Sequence, residues 1–243
     1  PLRAGRLRRG IKRNHQGDSM PRQRKKLAGI LPGTGKEAWN FPASYTVVDV
    51  ETTGLHPEWD RVIEIGALKI QNGIPGERFS SLLRPPFKQW GQYVMPAITK
   101  LTGITNEMLE KAPAAADVLK EFAAFLGNDP VVGYNVDFDM AFLQEHFQKL
   151  LGRPLANPWV DVLPMVQFLY PHWEHHRLAD AVAYYHLTNA RAHRALSDVE
   201  ATWQVFEKVH QEALHVYLAE AQFFAALQRS LGIAQEEEQM SLW

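Results

Sequence analysis

The sequence predicts an α/β domain in which a mixed sheet is flanked by helices on both sides. Three features of the pattern predict it. Three β-rich segments follow one another with turn residues between them, as in a meander. Segments with the apolar spacing of helices come next, and a short apolar run interrupts them, as a buried strand would.

The strands of the meander are predicted at residues 45–51, 62–70 and 77–84, and the short buried strand at 131–134. Two helices end at glycines, Gly127 and Gly152, which are common residues at helix C-termini. The apolar faces of these two helices contain Val118, Phe122 and Phe125, and Phe138, Phe142, Phe147 and Leu151. Further helices are predicted at about residues 177–186, 196–210 and 217–231.

Charge divides the 243 residues into a basic segment and an acidic remainder. Residues 1–43 carry a formal charge of +9, and the rest carry −10. We expect 1–43 to be a basic disordered arm that contacts a polyanion, 44–212 the folded domain, and 213–243 a C-terminal helix and tail that binds a partner. A solvated leader, a cloning remnant or an Arg-rich presequence would also explain the arm, although residues 1–26 contain one serine.

Composition excludes several kinds of chemistry. The chain has no cysteine, which rules out disulfides, thiolate metal sites and cysteine nucleophiles. No apolar run approaches the ~20 residues of a membrane span, so we expect no membrane association. The absence of cysteine also suits a reducing compartment, and we expect a cytoplasmic protein.

Asp49 and Glu51 are two acids in an otherwise apolar strand. Alternate residues of a strand point to the same face, so both carboxylates project together while Val48 and Val50 fill the opposite face. Adjacent buried acids are costly unless a cation lies between them, and carboxylate oxygens suit Mg²⁺ or Mn²⁺. The alternative is an exposed edge strand with solvated acids.

Two later segments add candidate residues. Asp139 follows a predicted strand and lies about 100° from Phe138 around the next helix, so it can flank the core. Asn135 or Asp137 would cap that helix in a purely structural interpretation. His193 and Asp198 converge only if His193 lies on the approach loop and Asp198 lies in the first turns of the helix. A histidine beside a metal-bound water is a natural general base, although the chain has ten histidines and a surface role is the alternative.

Taken together, these segments resemble the three motifs of the DnaQ-like DEDDh 3′→5′ exonuclease family. The motifs are Val48-Asp-Val-Glu-Thr-Thr-Gly-Leu55, Asn135-x-x-Phe-Asp139 and His193-x-x-x-x-Asp198. The resemblance covers about residues 44–210 and extends to 63–67, 101–105, 161–163 and 192–202. Chance agreement at all these positions is implausible. Within the family, the chain looks most like bacterial DNA polymerase III proofreading exonucleases, both the epsilon subunit and the domain built into some replicative polymerases.

The resemblance implies an RNase H-like fold and a mechanism with two divalent cations, Mg²⁺ or Mn²⁺, about 3.5–4 Å apart. It implies that Asp49 bridges both ions and that Glu51 and Asp198 hold the ion that activates water. Asp139 would support the second ion through water, and His193 would take the proton of the attacking water.

The resemblance also implies which residues bind the terminal nucleotide: Thr52, Thr53, Leu55, Ala97, Leu101, Thr102 and Asn135. The sequence departs from the epsilon subunit at Ala97 and Thr102, where that subunit carries Glu and His. Asp161 matches a recurrent family acid, for which we expect a structural role.

The predicted activity is release of nucleoside monophosphates from DNA 3′ ends in proofreading or repair. Trimming of RNA 3′ ends, as by RNase T or oligoribonuclease, is the alternative. A non-catalytic end-binding protein or a purely structural polymerase subunit would require a broken acid set, and here all four acids and the histidine are present. The expected partners are single-stranded 3′ ends, a separate polymerase subunit and a sliding clamp.

The last five residues, Gln239-Met-Ser-Leu-Trp243, look like the clamp-binding motif of bacterial replication proteins. Met240, Leu242 and Trp243 would enter an apolar groove while Gln239 orients the tail through hydrogen bonds. The alternative is that the tail packs on its own domain.

Overall fold

The computed structural model describes residues 36–88 and 91–233. Its strands are β1 (Tyr45–Thr52), β2 (Val62–Gln71), β3 (Ile74–Leu82), β4 (Val131–Gly133) and β5 (Trp159–Asp161). They form one sheet in the order β3-β2-β1-β4-β5. β1, β2 and β3 pair antiparallel, whereas β4 and β5 run parallel to β1. The predicted meander and mixed sheet are therefore confirmed.

Eight α-helices surround the sheet within the described residues: α1 (Pro96–Thr102), α2 (Asn106–Lys111), α3 (Ala115–Leu126), α4 (Val136–His146), α5 (Val162–Leu169), α6 (Leu178–Tyr184), α7 (Ala195–Tyr217) and α8 (Glu220–Ser230). A π-helical turn at Phe147–Leu151 extends α4 to Gly152. Gly127 and Gly152 follow α3 and this turn, as their sequence positions predict.

The tight hairpin between β2 and β3 shows why the meander forms. Gln71 pairs with Ile74, so only Asn72 and Gly73 lie between the strands. Both residues have positive φ, at 51° and 77°. Two positive φ angles match the turn that continues the right-handed twist of two strands, and Asn-Gly is the favoured sequence for it.

The sheet buries a different apolar cluster on each face. Val48, Val50 and Ile65 pack with residues of α3 and α4. Tyr45, Val47, Leu68 and Ile70 pack on the other face with residues of α5, α6, α7 and α8. Odd-numbered positions of β1 therefore face α7, and this alternation decides where its acids point.

Some elements differ from the sequence-based expectation. Helices α1, α2 and α5 and strand β5 were not predicted, because each has eight residues or fewer and offers too little periodicity. The helix expected at 217–231 is α8 alone. Leu218, with φ of 62°, ends α7 and separates the two helices.

The end of the basic segment is packed rather than extended. Phe41 is buried against Phe206, Phe223 and Phe224, and the Ala38 amide donates to the Trp159 carbonyl at 2.6 Å. Residues 1–35 lie outside the described part of the chain. Among residues 36–88 and 91–233, the helices lack the combined length and apolarity that a bilayer crossing requires.

Candidate active site

The two acids of β1 lie on the face that α7 covers. Val48 and Val50 are buried on the α3–α4 side, whereas Asp49 and Glu51 are half-buried and project from the opposite side. Glu51 pairs across the antiparallel ladder with Glu64 of β2, and Asp49 pairs with Gly66. The alternation predicted for β1 is confirmed.

Asp139 reaches the same end of the sheet from the first turn of α4. One of its carboxylate oxygens, Oδ1, accepts a hydrogen bond from the Val50 amide at 2.9 Å, which links the helix to β1 between the two acids. Asp139 is 4% exposed. Asn135 precedes the helix with a φ of 60°, and its side chain makes no capping hydrogen bond. Its amide donates to Asp161 at 2.9 Å.

His193 and Asp198 meet at the start of α7. His193 lies on the approach loop with a left-handed φ of 63°, and Asp198 lies in the first turn of the helix. The His193 amide donates to Asp198 Oδ2 at 2.9 Å. The other oxygen of Asp198, Oδ1, accepts a hydrogen bond from the Asn189 side-chain amide. This is the arrangement in which residues five apart can converge.

The potential ligand atoms of Glu51, His193 and Asp198 all lie within 4.8 Å of one another. Asp49 is close enough to Asp139, Asp198 and Glu51 for their charges to raise its pKa. The structure thus brings together all five residues that the sequence analysis singled out, from β1, α4 and the start of α7.

Burial and mutual repulsion raise the pKa of every acid in this group. For Asp49, desolvation is the larger cause, and the charges of Asp139, Asp198 and Glu51 add to it. Desolvation, then the charges of Asp198 and Glu64, raises the pKa of Glu51 to about 8. Burial likewise raises the pKa of Asp139 and of Asp198, against hydrogen bonds that lower it.

This donor set fits a divalent cation. Four carboxylates share a partly buried site, and the cation nearest in the pattern of charges, Arg194, lowers the pKa of Glu51 only in part. A bound cation would remove the repulsion that raises these pKa values. Carboxylate and imidazole ligands suit several divalent metals.

The expected substrate residues are arranged unevenly around this site. Leu55 is 76% exposed and Leu101 is 52% exposed, so both apolar side chains are open to a ligand. Ala97 and Asn135 are exposed as well. Beside Thr53, a cleft of about 400 Å³ opens between the turn after β1 and the segment that precedes α1.

The two other threonine hydroxyls are engaged inside the protein. Thr52 is 9% exposed and donates to the Gly54 carbonyl at 2.6 Å. Thr102 is 4% exposed; its hydroxyl donates to the Ile98 carbonyl and accepts from the Ile104 amide. The Thr102 side chain therefore points into the protein, unlike its neighbour Leu101. The proposed partner residues Gln239, Met240, Leu242 and Trp243 lie outside the described residues.

Sequence reasoning missed three residues that support the site: Asn189, Glu64 and Arg194. Asn189 holds Asp198 from a loop and carries no local signal. Glu64 had the same signal as Asp49, an acid on an apolar strand, and its 2% exposure shows that it is buried. Asp161 caps α5 by accepting from the Leu163 amide at 3.0 Å, which agrees with a structural role.

A mixed sheet with a group of acids at one end, covered by a long helix that contributes one of them, defines the class of RNase H-like nucleases. Comparison with protein families gives the particular family. The exonuclease family model matches residues 46–206. The chain belongs to this exonuclease family, and the DnaQ-like resemblance seen in the sequence is confirmed.

Two kinds of relative share its sequence. The chain is 31% identical over 199 residues to the DNA polymerase III subunit epsilon of Aquifex aeolicus, a match that covers 82% of this chain and 91% of that protein. It is 37% identical over 171 residues to the PolC-type DNA polymerase III of Bacillus subtilis. That match covers 70% of this chain, which spans only 12% of the length of the PolC-type protein.

Solved structures share the fold. Escherichia coli exonuclease I in complex with a dT13 oligonucleotide superposes with a TM-score of 0.59 at 22% identity, over 73% of this chain and 43% of that one. Exonuclease X in complex with 5′-overhanging duplex DNA gives a TM-score of 0.57 at 19% identity, over 75% and 99%. The RNase H-like architecture is thereby confirmed.

Proposed function

We propose that this exonuclease removes nucleoside monophosphates from DNA 3′ ends, in proofreading or repair, with Mg²⁺ or Mn²⁺ as its cofactor. The observation that carries the proposal is the convergence of Asp49, Glu51, Asp139 and Asp198 with His193 in a chain of the exonuclease family. The named activities of the relatives, a polymerase III epsilon subunit and exonucleases crystallised with DNA, support DNA as the substrate.

Each residue has a role that its position permits. Asp49, Glu51 and Asp198 would hold two cations, with Asp139 supporting one of them through water. When bound, the cations would activate water and stabilise charge on the scissile phosphate. His193, exposed and beside Asp198, would accept the proton of the attacking water. Leu55 and Leu101 offer apolar surface against which terminal bases can pack, with Thr53, Ala97 and Asn135 nearby in sequence.

The test is hydrolysis of a labelled single strand by the full chain. Asp49→Asn should abolish hydrolysis, because it removes one negative charge from the cation site while preserving the shape of the side chain. Asp117→Asn is the matched control, since Asp117 is an acid of α3 with a 65% exposed side chain. EDTA should stop the wild-type reaction, and Mg²⁺ or Mn²⁺ should restore it. Undiminished hydrolysis in EDTA would refute the metal assignment.

RNA 3′-end trimming is the second candidate, because the exonuclease fold does not fix the sugar. Parallel reactions with single-stranded DNA, mismatched duplex and RNA in Mn²⁺ separate the two. Faster removal of mismatched than matched termini would support proofreading. Preference for RNA at equal length and sequence would favour the alternative.

We propose a DNA polymerase as a partner and the cytoplasm as the location. The support is the name of the Aquifex relative, a polymerase III subunit of a bacterium, whose replication takes place in the cytoplasm. Residues 1–43 are proposed as a polyanion-binding arm, 44–212 as the exonuclease domain, and 213–243 as a C-terminal extension. Since α7 continues to Tyr217 and α8 packs against it, the domain and the extension share one core.

We also propose that residues 239–243 bind a sliding clamp. Its support is the resemblance of the sequence to a clamp-binding motif, together with the acidic run Glu236–Glu238 that precedes it. Clamp should be titrated with the full chain and with a variant that lacks residues 239–243. Equal binding by both proteins, or binding by neither, would eliminate the tail as a clamp ligand and would leave the nuclease proposal intact.

A further inference from the structure

A buried ion pair lies directly behind the acids of the active site. Glu64 of β2 is 2% exposed and faces α7, opposite Glu51 in the ladder. Arg194, at the N-cap of α7, binds it with two nitrogens: Nη2 lies 2.6 Å from Oε1 and Nε lies 3.0 Å from Oε2. The Ala195 amide donates to the same Oε2 at 3.1 Å. One carboxylate thus holds both the cap residue and the first residue of the helix.

The surroundings of this pair leave little room for another arrangement. A Cβ added at Gly66 would overlap the Ala195 backbone, so the start of α7 lies directly on β2. By contrast, Arg78 and Glu200, which join β3 to the same helix, are 51% and 44% exposed. A buried pair repays the desolvation of its charges only when its geometry is held closely, whereas an exposed pair contributes little to position or stability.

The anchored residues lie between the two that complete the site. His193 immediately precedes Arg194, and its left-handed backbone turns its side chain away from the sheet while Arg194 points toward Glu64. Asp198 follows one turn later and is held by the His193 amide. A shift of the Arg194 backbone would therefore displace His193 and Asp198 together, relative to Glu51 on the fixed sheet.

We propose that Glu64 and Arg194 are positioning residues for the exonuclease reaction: their ion pair fixes the start of α7 so that His193 and Asp198 meet Glu51 at the cation site. Arg194 also neutralises Glu64, which leaves Glu51 as the unpaired carboxylate of the cross-strand pair. This inference rests on the proposed function for the identity of the reaction, but it makes a separate claim about cation binding.

The experiment compares Arg194→Lys and the double variant Glu64→Gln/Arg194→Gln with the wild type. Lysine keeps the charge but loses the two-pronged contact, and the double variant removes both charges, so neither leaves an unpaired buried charge. Arg78→Lys and Glu200→Gln are the controls on the exposed pair. Mn²⁺ affinity by calorimetry, melting temperature without metal, and kcat and KM on a DNA strand are measured for each full-length protein.

Both variants should bind Mn²⁺ about 10–100-fold more weakly than wild type, the usual effect of losing a residue that orients metal ligands. At saturating Mn²⁺, kcat should fall by up to about 10²-fold while KM for DNA changes little, since a displacement of about 1 Å is enough for such a loss. The double variant should lose kcat even where its melting temperature matches the wild type. The controls should behave as wild type.

Wild-type Mn²⁺ affinity and kcat in both variants, with or without a change in melting temperature, would overturn the inference and reduce the pair to a structural contact. A wild-type protein that binds Mn²⁺ but does not cut DNA would refute the proposed function instead. In that case the loss of Mn²⁺ affinity still decides whether the pair positions the cation ligands.

Discussion

The acids of the site are protonated too readily in the absence of a cation, and this has a consequence for stability. Burial and neighbouring charges raise the pKa of Glu51 from 4.5 to about 8, and those of Asp49, Asp139 and Asp198 also rise. A group whose pKa is higher in the folded state stabilises the fold below its unfolded pKa, and that contribution is lost as the pH rises through its folded pKa.

The metal-free protein should therefore become less stable between about pH 4.5 and 8. Thermal unfolding in EDTA across this range is the measurement, and added Mn²⁺ should raise the melting temperature more at pH 8 than at pH 5. Glu51→Gln removes one of the titrating groups and should flatten the decline. A melting temperature that rises with pH in EDTA and is unaffected by Glu51→Gln would contradict the raised pKa values.

The second prediction at this scale separates His193 from the acids. His193→Ala should lower kcat by about 10²–10⁴-fold, the typical contribution of a general base, while Mn²⁺ binding is retained by the carboxylates. Single-turnover hydrolysis and calorimetry measure the two effects. His172→Ala is the control, because His172 is also exposed but lies on the loop after α5. Equal losses of kcat and Mn²⁺ affinity in His193→Ala would assign the imidazole to cation binding.

At the scale of elements, α8 is part of the domain core. Phe223 is fully buried, and its ring lies 5.6 to 5.8 Å from those of Tyr217, Phe41 and Phe168. Those three rings come from α7, the segment before β1, and α5. The helix that the sequence analysis assigned to a C-terminal extension therefore holds other elements in place.

Phe223→Ala should lower the free energy of unfolding by about 3–5 kcal/mol, because it leaves a cavity among these rings. The activity per folded molecule should be unchanged, since the site lies at the other end of α7. Leu218→Ala is the control: Leu218 is 86% exposed, and we expect a change below about 0.5 kcal/mol. Urea denaturation of both variants tests this, and equal small effects would show that α8 is dispensable for the core.

At the scale of the whole molecule, charge is separated along the chain. Residues 1–43 carry +9 and the remainder carries −10, so the acidic domain itself repels a polyanion. If the basic arm binds phosphates, deletion of residues 1–35 should weaken DNA binding and reduce its salt dependence. Each lost phosphate contact should lower the slope of log K against log salt by about 0.7 for a single strand. Residues 36–43 are retained, because Phe41 is part of the core.

Binding titrations between 50 and 200 mM salt, roughly the range over which such contacts are most easily resolved, measure the slope. The matched control is a full-length chain in which the basic residues of 1–35 are replaced by glutamine. If the deletion and the glutamine variant both keep the wild-type slope, the arm does not contact DNA. If only the deletion changes it, the effect of the arm is not due to its charge.

The sequence by itself determined the fold class, the meander, the two glycine-terminated helices and the five residues that meet in the site. These follow from local rules: alternation in β1 points Asp49 and Glu51 to one face, and turn residues fix the hairpins. The roles of the five residues remain predictions. Short helices such as α1 and α2 escaped, because a helix of one or two turns is stabilised by its packing rather than by its own pattern.

Only the tertiary structure decided which residues support the site. Asn189, Glu64 and Arg194 contact or flank the site residues across 9 to 131 positions of sequence, and neither local propensity nor periodicity records a contact at that separation. Burial was decided in the same way. Thr102 and its neighbour Leu101 are equally plausible substrate residues in the sequence, yet packing turns the first inward and leaves the second exposed. Phe41 shows the reverse case, since a residue of the basic segment becomes part of the core through aromatic contacts with α7 and α8 that lie far away in the chain.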